Sequence, residues 1–322
     1  MDTLIIEKKN EVYITVDCDQ NIQREISEFF TFYVPGYKFM PAFRNRMWDG
    51  KIRLYSQKTK EIYFGLFPYI RAFAEERGYQ IVAGKDVEIN NSVDKEIVKK
   101  FSNSLGQKFE ARDYQIDAIY HSLKFNRALL LSPTASGKSF IIYSLIRYYS
   151  HLIKDNPNNR ILLIVPTTSL VEQMYSDFES YGWNVKKNCH RLYSGYSNQT
   201  TKKVLISTWQ SLYKLPKKYF EQFGVVFGDE AHLFKSKSLT EIMTKLEDCK
   251  YRIGLTGTLD GAQTHKLVLE GLFGAVNKVT STRKLMDKQQ LSNLVVRCLI
   301  LKHTAENSKM VTSGKYQDEI DY

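Results

Sequence analysis

Two short strings carry residue types at a spacing from which chemistry can be argued. The first is Ser132-Pro133-Thr134-Ala135-Ser136-Gly137-Lys138-Ser139; the second, Asp229-Glu230-Ala231-His232, ends the apolar run Val225-Val226-Phe227-Gly228. A loop of small residues entering a helix through Gly-Lys-Ser offers backbone N–H groups and a helix N-terminus to phosphate oxygens. Pro133, Thr134, Ala135, Ser136 and Gly137 form that cradle, Lys138 reaches for the β- and γ-phosphates, and the Ser139 hydroxyl is a magnesium ligand. The acidic pair complements it: Asp229 would hold Mg2+ through water, and Glu230 would orient and deprotonate an attacking water. Together these residues point to ATP with Mg2+, with Lys138, Asp229, Glu230 and His232 as the catalytic set. Ser132 stands where such loops usually begin with glycine, a position that tolerates a small residue if its backbone is not left-handed.

Several weaker strings surround this pair. Arg112-Asp113-Tyr114-Gln115 precedes an amphipathic helix, and the Gln115 amide could read the donor and acceptor on an adenine edge, with Arg112 beside it; the bland reading is an exposed glutamine at a helix start. His232 either transmits the state of the nucleotide or caps a helix. Gly254-Leu255-Thr256-Gly257-Thr258 could hydrogen-bond to the acidic pair and to a neighbouring domain. Pro166-Thr167-Thr168-Ser169 and Ser207-Thr208-Trp209-Gln210-Ser211 set hydroxyls near helix starts, which makes Thr167 and Thr208 candidates for sugar-phosphate contacts.

The elements that must position these strings follow from periodicity. Short apolar runs at Ala128–Leu131, Ile161–Val165, Val204–Ile206, Val225–Phe227 and Arg252–Leu255 read as buried parallel strands, separated by helical patterns such as Phe140–His151 and Ser169–Tyr181. An α/β fold with a twisted parallel sheet between helices is expected, and its strand ends are where ligands of such sheets bind. Upstream, strand-like Val12–Val16 and an amphipathic helix over Gln20–Phe30 suggest a small α+β domain over residues 1–85. A charged linker over 86–108 follows, with a helix at Val93–Phe101 and a polar turn at Asn103–Gly106.

Composition bounds the rest. A chain of 322 residues that is 43% hydrophobic and 25% charged is globular and long enough for two or three domains. Its 46 Lys+Arg against 35 Asp+Glu give +11, which favours a polyanionic partner. Cys18, Cys189, Cys249 and Cys298 are widely spaced, so neither a disulfide framework nor a zinc site is indicated. Neither a signal-peptide core nor a bilayer-length apolar run occurs, so a cytoplasmic monomer without membrane contact is expected.

Near the N-terminus, Arg44, Arg46, Lys51 and Arg53 alternate with Phe43, Trp48 and Tyr55 around Asp49-Gly50, a dipeptide that favours a tight hairpin turn. Such a hairpin could hold phosphates and stack on bases exposed at a junction, with Arg44, Arg46, Trp48, Lys51 and Arg53 as contacts; alternatively its aromatics belong to a small core.

Taken in order, Gln115, P-T-A-S-G-K-S, P-T-T-S-L, S-T-W-Q-S, D-E-A-H and T-G-T resemble the motifs of the first RecA-like domain of superfamily 2 helicases and translocases, over residues 109–282. Gly36-Tyr37-Lys38-Phe39 through Arg44 and Trp48-Asp49-Gly50-Lys51-Ile52-Arg53-Leu54 resemble the N-terminal domain of UvsW-type helicases of tailed bacteriophages. The resemblance implies a DEAH-box ATPase driven by DNA, acting on forks, Holliday junctions and R-loops in recombination, repair and replication, in a phage-infected host cell. Single-stranded, double-stranded or branched DNA, and an RNA-DNA hybrid, are the implied partners. Residues 283–322, with a strand expected at Leu294–Leu301, read as the start of a truncated second RecA-like domain, and from this a slow hydrolysis without unwinding is expected. Two other readings stay open: a non-catalytic DNA-binding module with an ATP-sensing site, and the motor part of a restriction-type nuclease.

Overall fold

The computed structural model describes residues 2–154, 159–259, 263–292 and 297–298. The strand expected at Leu294–Leu301 lies almost wholly outside them.

The N-terminal part contributes β1 (Thr3–Lys8), β2 (Tyr13–Asp17), β3 (Thr31–Tyr33), β4 (Lys51–Arg53), β5 (Tyr55–Ser56), β6 (Glu61–Tyr63) and β7 (Gln80–Ala83). Five of these make one sheet in the order β5-β6-β2-β1-β7, in which only the β1–β7 pairing is parallel. Alternation explains its buried face: Leu4 and Ile6 point inward from β1, Ile14 and Val16 from β2. The helix Gln20–Phe29 lays Ile22 and Ile26, one turn apart, on that face, and Asp19 caps it by accepting from the Asn21 N–H at 2.8 Å. A second helix, Phe67–Arg77, adds Ile70, Phe73 and Ala74 and stops at the left-handed Gly78.

The expected tight turn at Asp49-Gly50 is not what joins the basic strand to its neighbour. β4 pairs instead with β3, and residues 34–50 between them hold two short helical turns, Tyr37–Phe39 and Pro41–Arg44. Gly50 closes this excursion, its carbonyl accepting from the Val34 N–H at 2.9 Å. A dipeptide signal is local, whereas the partner of β4 is chosen by Phe32 and Ile52 packing against the core.

The second sheet is wholly parallel. It comprises β8 (Arg127–Leu131), β9 (Arg160–Val165), β10 (Cys189–Leu192), β11 (Val204–Thr208), β12 (Phe223–Gly228), β13 (Tyr251–Thr256) and β14 (Val276–Lys278), in the order β10-β11-β9-β12-β13-β8-β14. The five expected strands are the inner ones, and the two edge strands β10 and β14 are additional. One face packs on helices Asp113–Phe125, Lys138–Leu152 and Thr168–Ser180. The helix expected at Val93–Phe101 runs Lys95–Asn103, capped by Asp94. The cysteines are free, with Cys189 and Cys249 buried. Among the described residues no helix is long and apolar enough to cross a membrane.

The other face of the parallel sheet shares a single apolar cluster with the N-terminal sheet: Leu129, Leu162 and Val226 belong to it together with Leu4, Ile14 and Phe73. Two glycines permit the approach. A Cβ on Gly65 would lie 2.0 Å from the Glu270 carbonyl oxygen, and one on Gly271 would lie 2.7 Å from the Tyr63 Cβ. Polar bonds fasten the seam: Tyr69 donates to Glu270 at 2.6 Å, the Glu11 N–H donates to the Glu247 carbonyl at 2.8 Å, and Arg127 pairs with Glu11 at 2.9 Å. Arg127 also donates to the Glu11 carbonyl and stacks on Phe64 at 4.4 Å. Burial alone would raise the Glu11 carboxyl, but Arg127 and Lys8 outweigh it and hold the group below its ordinary value.

Replacing Glu11 with Ala should therefore cost about 3 kcal/mol at neutral pH, because the Arg127 charge stays buried without its counter-ion. A carboxyl with a lowered folded-state pKa contributes stability above its unfolded pKa and loses it as pH falls through the folded value. Urea unfolding at several pH values should show the gap between parent and Glu11→Ala narrowing in acid; a constant gap would contradict the ion-pair account.

Candidate nucleotide-binding site

The carboxyl ends of β8, β12 and β13 lie along one edge of the parallel sheet, and the two chemically suggestive strings meet there. Ser132 leaves β8 with its N–H donating to the Thr256 carbonyl at 2.8 Å, so the loop starts under the control of the neighbouring strand. Ser132 is fully buried and does not have a positive φ, which satisfies the condition for serine at this position. Its hydroxyl meets that of Ser136 at 2.6 Å, and Ser136 Oγ lies 2.6 Å from the Pro133 carbonyl. Ala135 (φ 63°) and Gly137 (φ 80°) supply the left-handed corners, while Pro133 and Thr134 form the outer arc of the loop.

Gln115 is 4% exposed. Its Oε1 accepts from the Arg112 N–H at 2.9 Å and its Nε2 donates to the Ser136 carbonyl at 3.0 Å, closing a capping box at the start of the helix Asp113–Phe125. Arg112 reaches the same loop indirectly, donating to the Tyr114 hydroxyl at 2.8 Å, which donates to the Ser136 carbonyl at 3.1 Å. Tyr114 is thus a loop-fixing residue missed by sequence reasoning, although it adjoins Gln115.

Across the cleft, Lys138 Nζ lies 2.9 Å from Glu230 Oε1. Glu230 is itself left-handed (φ 48°), which turns the chain sharply after Asp229 and aims the two carboxylates differently. Asp229 is buried, and its Oδ1 has no hydrogen-bond partner. Burial pushes its carboxyl up to about 6, with Lys138 opposing and Glu230 adding to the rise. His232 Nδ1 lies 3.0 Å from Thr256 Oγ1 and 3.4 Å from Glu230 Oε2. Thr256 Oγ1 already spends its proton on the Thr258 carbonyl at 2.7 Å, so it accepts from an Nδ1–H of His232. The T-G-T string therefore touches the histidine of the D-E-A-H string rather than its acidic pair.

The magnesium expected at Ser139 and Asp229 has an orphaned, deeply placed carboxylate oxygen to accept it. The Ser139 hydroxyl is shared with the Tyr181 hydroxyl at 3.1 Å, an arrangement it would give up to become a ligand. Tyr181 lies far along the chain from Ser139, and no local pattern marks it. Among the described residues no group of three or more His, Cys, Asp or Glu is arranged as a metal cage, and Mg2+ on nucleotides takes most of its oxygens from phosphate and water.

The candidate nucleic-acid residues fall in two places. Thr167 is exposed at the tip of β9 and caps the helix Thr168–Ser180, accepting from the Leu170 N–H at 3.3 Å. Thr208, at the tip of β11, is 4% exposed and shares a hydrogen bond with Ser211 at 3.1 Å. Arg44, Arg46 and Arg53 are exposed in the N-terminal excursion and its return strand; Arg53 is ion-paired with Asp49, and Lys51 lies 4.9 Å from the Tyr33 ring. Trp48 donates its indole N–H to the Lys51 carbonyl at 2.9 Å. Tyr55, grouped with this face in the sequence, is 2% exposed and donates to the Val16 carbonyl at 3.2 Å, so it belongs to the core.

A parallel sheet with a phosphate loop after β8 and an acidic pair after β12 defines the RecA-like domain of superfamily 2 helicases and translocases. Residues 108–261 match the family described as the type III restriction enzyme res subunit, and residues 6–84 match that described as the N-terminal part of the DNA helicase UvsW. The ATP-dependent DNA helicase UvsW of Enterobacteria phage T4 is 34% identical over 96% of the chain, which spans 62% of that relative's length. A crystal structure of the UvsW helicase from bacteriophage T4 superposes with a TM-score of 0.78 at 32% identity, covering 86% of this chain and 100% of that one. A DNA 3'-5' translocase of Sulfurisphaera tokodaii, XPB2, is 26% identical over 47% of this chain and 31% of its own. The chain belongs to the UvsW helicase family.

Gly137 tests the loop geometry. A Cβ there would stand 2.4 Å from Gln115 Nε2 at a φ of 80°, so the change both strains the backbone and displaces the glutamine. With about 1–3 kcal/mol for such a residue, Gly137→Ala should weaken binding of a fluorescent ATP analogue by about tenfold or more. Unchanged affinity would show that the loop does not contact the nucleotide.

Proposed function

We propose that this chain forms the ATP-binding part of an ATP-dependent DNA helicase or translocase that acts on branched DNA. Forks, Holliday junctions and R-loops are its substrates, in recombination, repair and replication. The observation that carries the reading is the relay at the strand ends: Lys138 to Glu230, Glu230 to His232, and His232 to Thr256, all at hydrogen-bond or ion-pair distance. Lys138 and the loop amides would take the phosphates, and Glu230, released from Lys138 by them, would be free to accept a proton from water. Ser139 and Asp229 would hold Mg2+, which supplies charge neutralisation between the phosphate oxygens. His232 would pass the position of Glu230 to Thr256, whose strand neighbours both β8 and β12. Gln115, fixed beside Ser136, would read the adenine edge with its remaining amide proton and lone pair. The net charge of +11 and the names of the UvsW and XPB2 relatives support a DNA partner.

Glu230→Gln should lower DNA-stimulated ATP turnover by about a hundredfold or more while leaving nucleotide binding in place. Equal turnover by parent and variant, or none in either with DNA present, would favour a non-catalytic module with an ATP-sensing site. The match over residues 108–261 favours a second reading, the motor of a restriction-type nuclease. Incubation with plasmid DNA, ATP and Mg2+ separates it, since cleavage supports that reading and intact plasmid the helicase one.

Replacing Arg44, Arg46, Lys51 and Arg53 together with Ala should weaken fork binding. Because Arg53 is engaged by Asp49, the slope of log affinity against log salt should fall by about two or three rather than by the full charge count. Measuring fork affinity across a salt series checks this, and an unchanged slope would remove the patch from the DNA interface.

A further inference from the structure

The excursion over residues 34–50 presents its apolar groups in an unusual way. Phe43, which the sequence offered for stacking on bases, is edge-on to Tyr37 at 4.7 Å, and Tyr37 stacks on Tyr33 at 4.7 Å. Trp48 is half-buried and tethered through its indole N–H. Phe39 and Met47, by contrast, are 76% and 81% exposed, the largest values for big hydrophobic side chains among the described residues. Exposing two such groups on one short excursion is unfavourable unless something covers them.

The frame beneath them is fixed. Met40 and Phe39 donate their N–H groups to the Tyr37 and Gly36 carbonyls at 3.0 and 2.9 Å, and the Met47 N–H donates to the Ala42 carbonyl at 2.9 Å. Gly50 lies so close under Tyr37 that a Cβ would come within 2.3 Å of the ring. A concavity of about 600 Å³ opens in this frame, lined by Lys38, Phe43, Arg44, Arg46, Met47 and Trp48. Asp49, its one acidic neighbour, is paired with Arg53, so Lys38, Arg44 and Arg46 leave the rim cationic. An apolar floor within a ring of exposed cations fits a ligand that joins a flat apolar body to a phosphate, and sequence-tolerant binding of unpaired nucleotides uses that combination.

We propose that this concavity holds an unpaired nucleotide at a DNA branch point, its base against Met47, Phe43 and Trp48 and its flanking phosphates on Lys38, Arg44 and Arg46. The proposal rests on the DNA reading given above and deepens it. It makes the N-terminal domain a sensor of unpaired bases, and the basic residues alone a general duplex contact.

The test is a double-mutant cycle between protein and DNA using the 322-residue chain. Binding is measured to a fork carrying a normal nucleotide or an abasic site at the branch point, and to a blunt duplex, for the parent and for Met47→Ala. Base stacking of about 1–3 kcal/mol predicts that the abasic site weakens the parent about tenfold. Met47→Ala should be weakened on the normal fork, lose less than the parent does on going to the abasic fork, and match the parent on duplex. Parent affinity that ignores the abasic site while fork binding stays salt-dependent would overturn the base pocket and leave the DNA reading intact. Losses that multiply across the cycle would do the same. Absence of salt-dependent DNA binding by the parent would overturn both. Met47 is exposed, and DNA-free ATP affinity equal to the parent's confirms that the variant is folded.

Discussion

The Lys138–Glu230 ion pair is the interaction on which the site depends. It joins loops at the ends of β8 and β12, strands that are not neighbours, across the end of β13. That span exists only because the sheet is parallel and in register, with Thr256 paired to Leu131 and Gly228 paired to Gly254. Thr256 fills the gap, its carbonyl holding the Ser132 N–H and its hydroxyl meeting His232. A charged pair so placed is partly desolvated, so a triphosphate that took Lys138 would leave Glu230 without its counter-charge. On the proposed function, binding and the release of the base would be the same event in electrostatic terms.

The N-terminal sheet is anchored at the other end of the same strand. Arg127, the first residue of β8, is held by Glu11, while the last residues of β8 lead into the phosphate loop. With Gly65 and Gly271 allowing backbone-level contact, the two sheets share one core rather than meeting across a solvated linker. A nucleic acid held on the excursion over residues 34–50 would be held in a frame that is continuous with the motor sheet. The cost of this arrangement is a buried Arg–Glu pair, which favours one registration of the two layers over others.

Much of this was legible in the chain itself, where a physical rule is local. Phosphate loops need small residues before Gly-Lys-Ser, and buried parallel strands need uninterrupted apolar runs, so the five inner strands and Lys138, Ser139, Asp229 and Glu230 could be located from spacing. The edge strands β10 and β14 escaped because Cys189-His190-Arg191-Leu192 and Val276-Asn277-Lys278 carry polar, half-buried or exposed residues and lack that run. Tyr181 escaped because its contact with Ser139 comes from tertiary packing. The Asp49-Gly50 signal misled because turn preference is weaker than the burial of Phe32 and Ile52, and the same packing drew Tyr55 inward and left Phe39 and Met47 outside.

The central claim is that Lys138 is the phosphate-binding group and Glu230 its partner in the nucleotide-free state. Calorimetric titration of the chain and of Lys138→Ala with ATP and Mg2+ tests it, because the heat reports binding directly. The account predicts saturable binding at one site by the parent and its loss in Lys138→Ala. Saturable binding of ordinary strength in Lys138→Ala would contradict it.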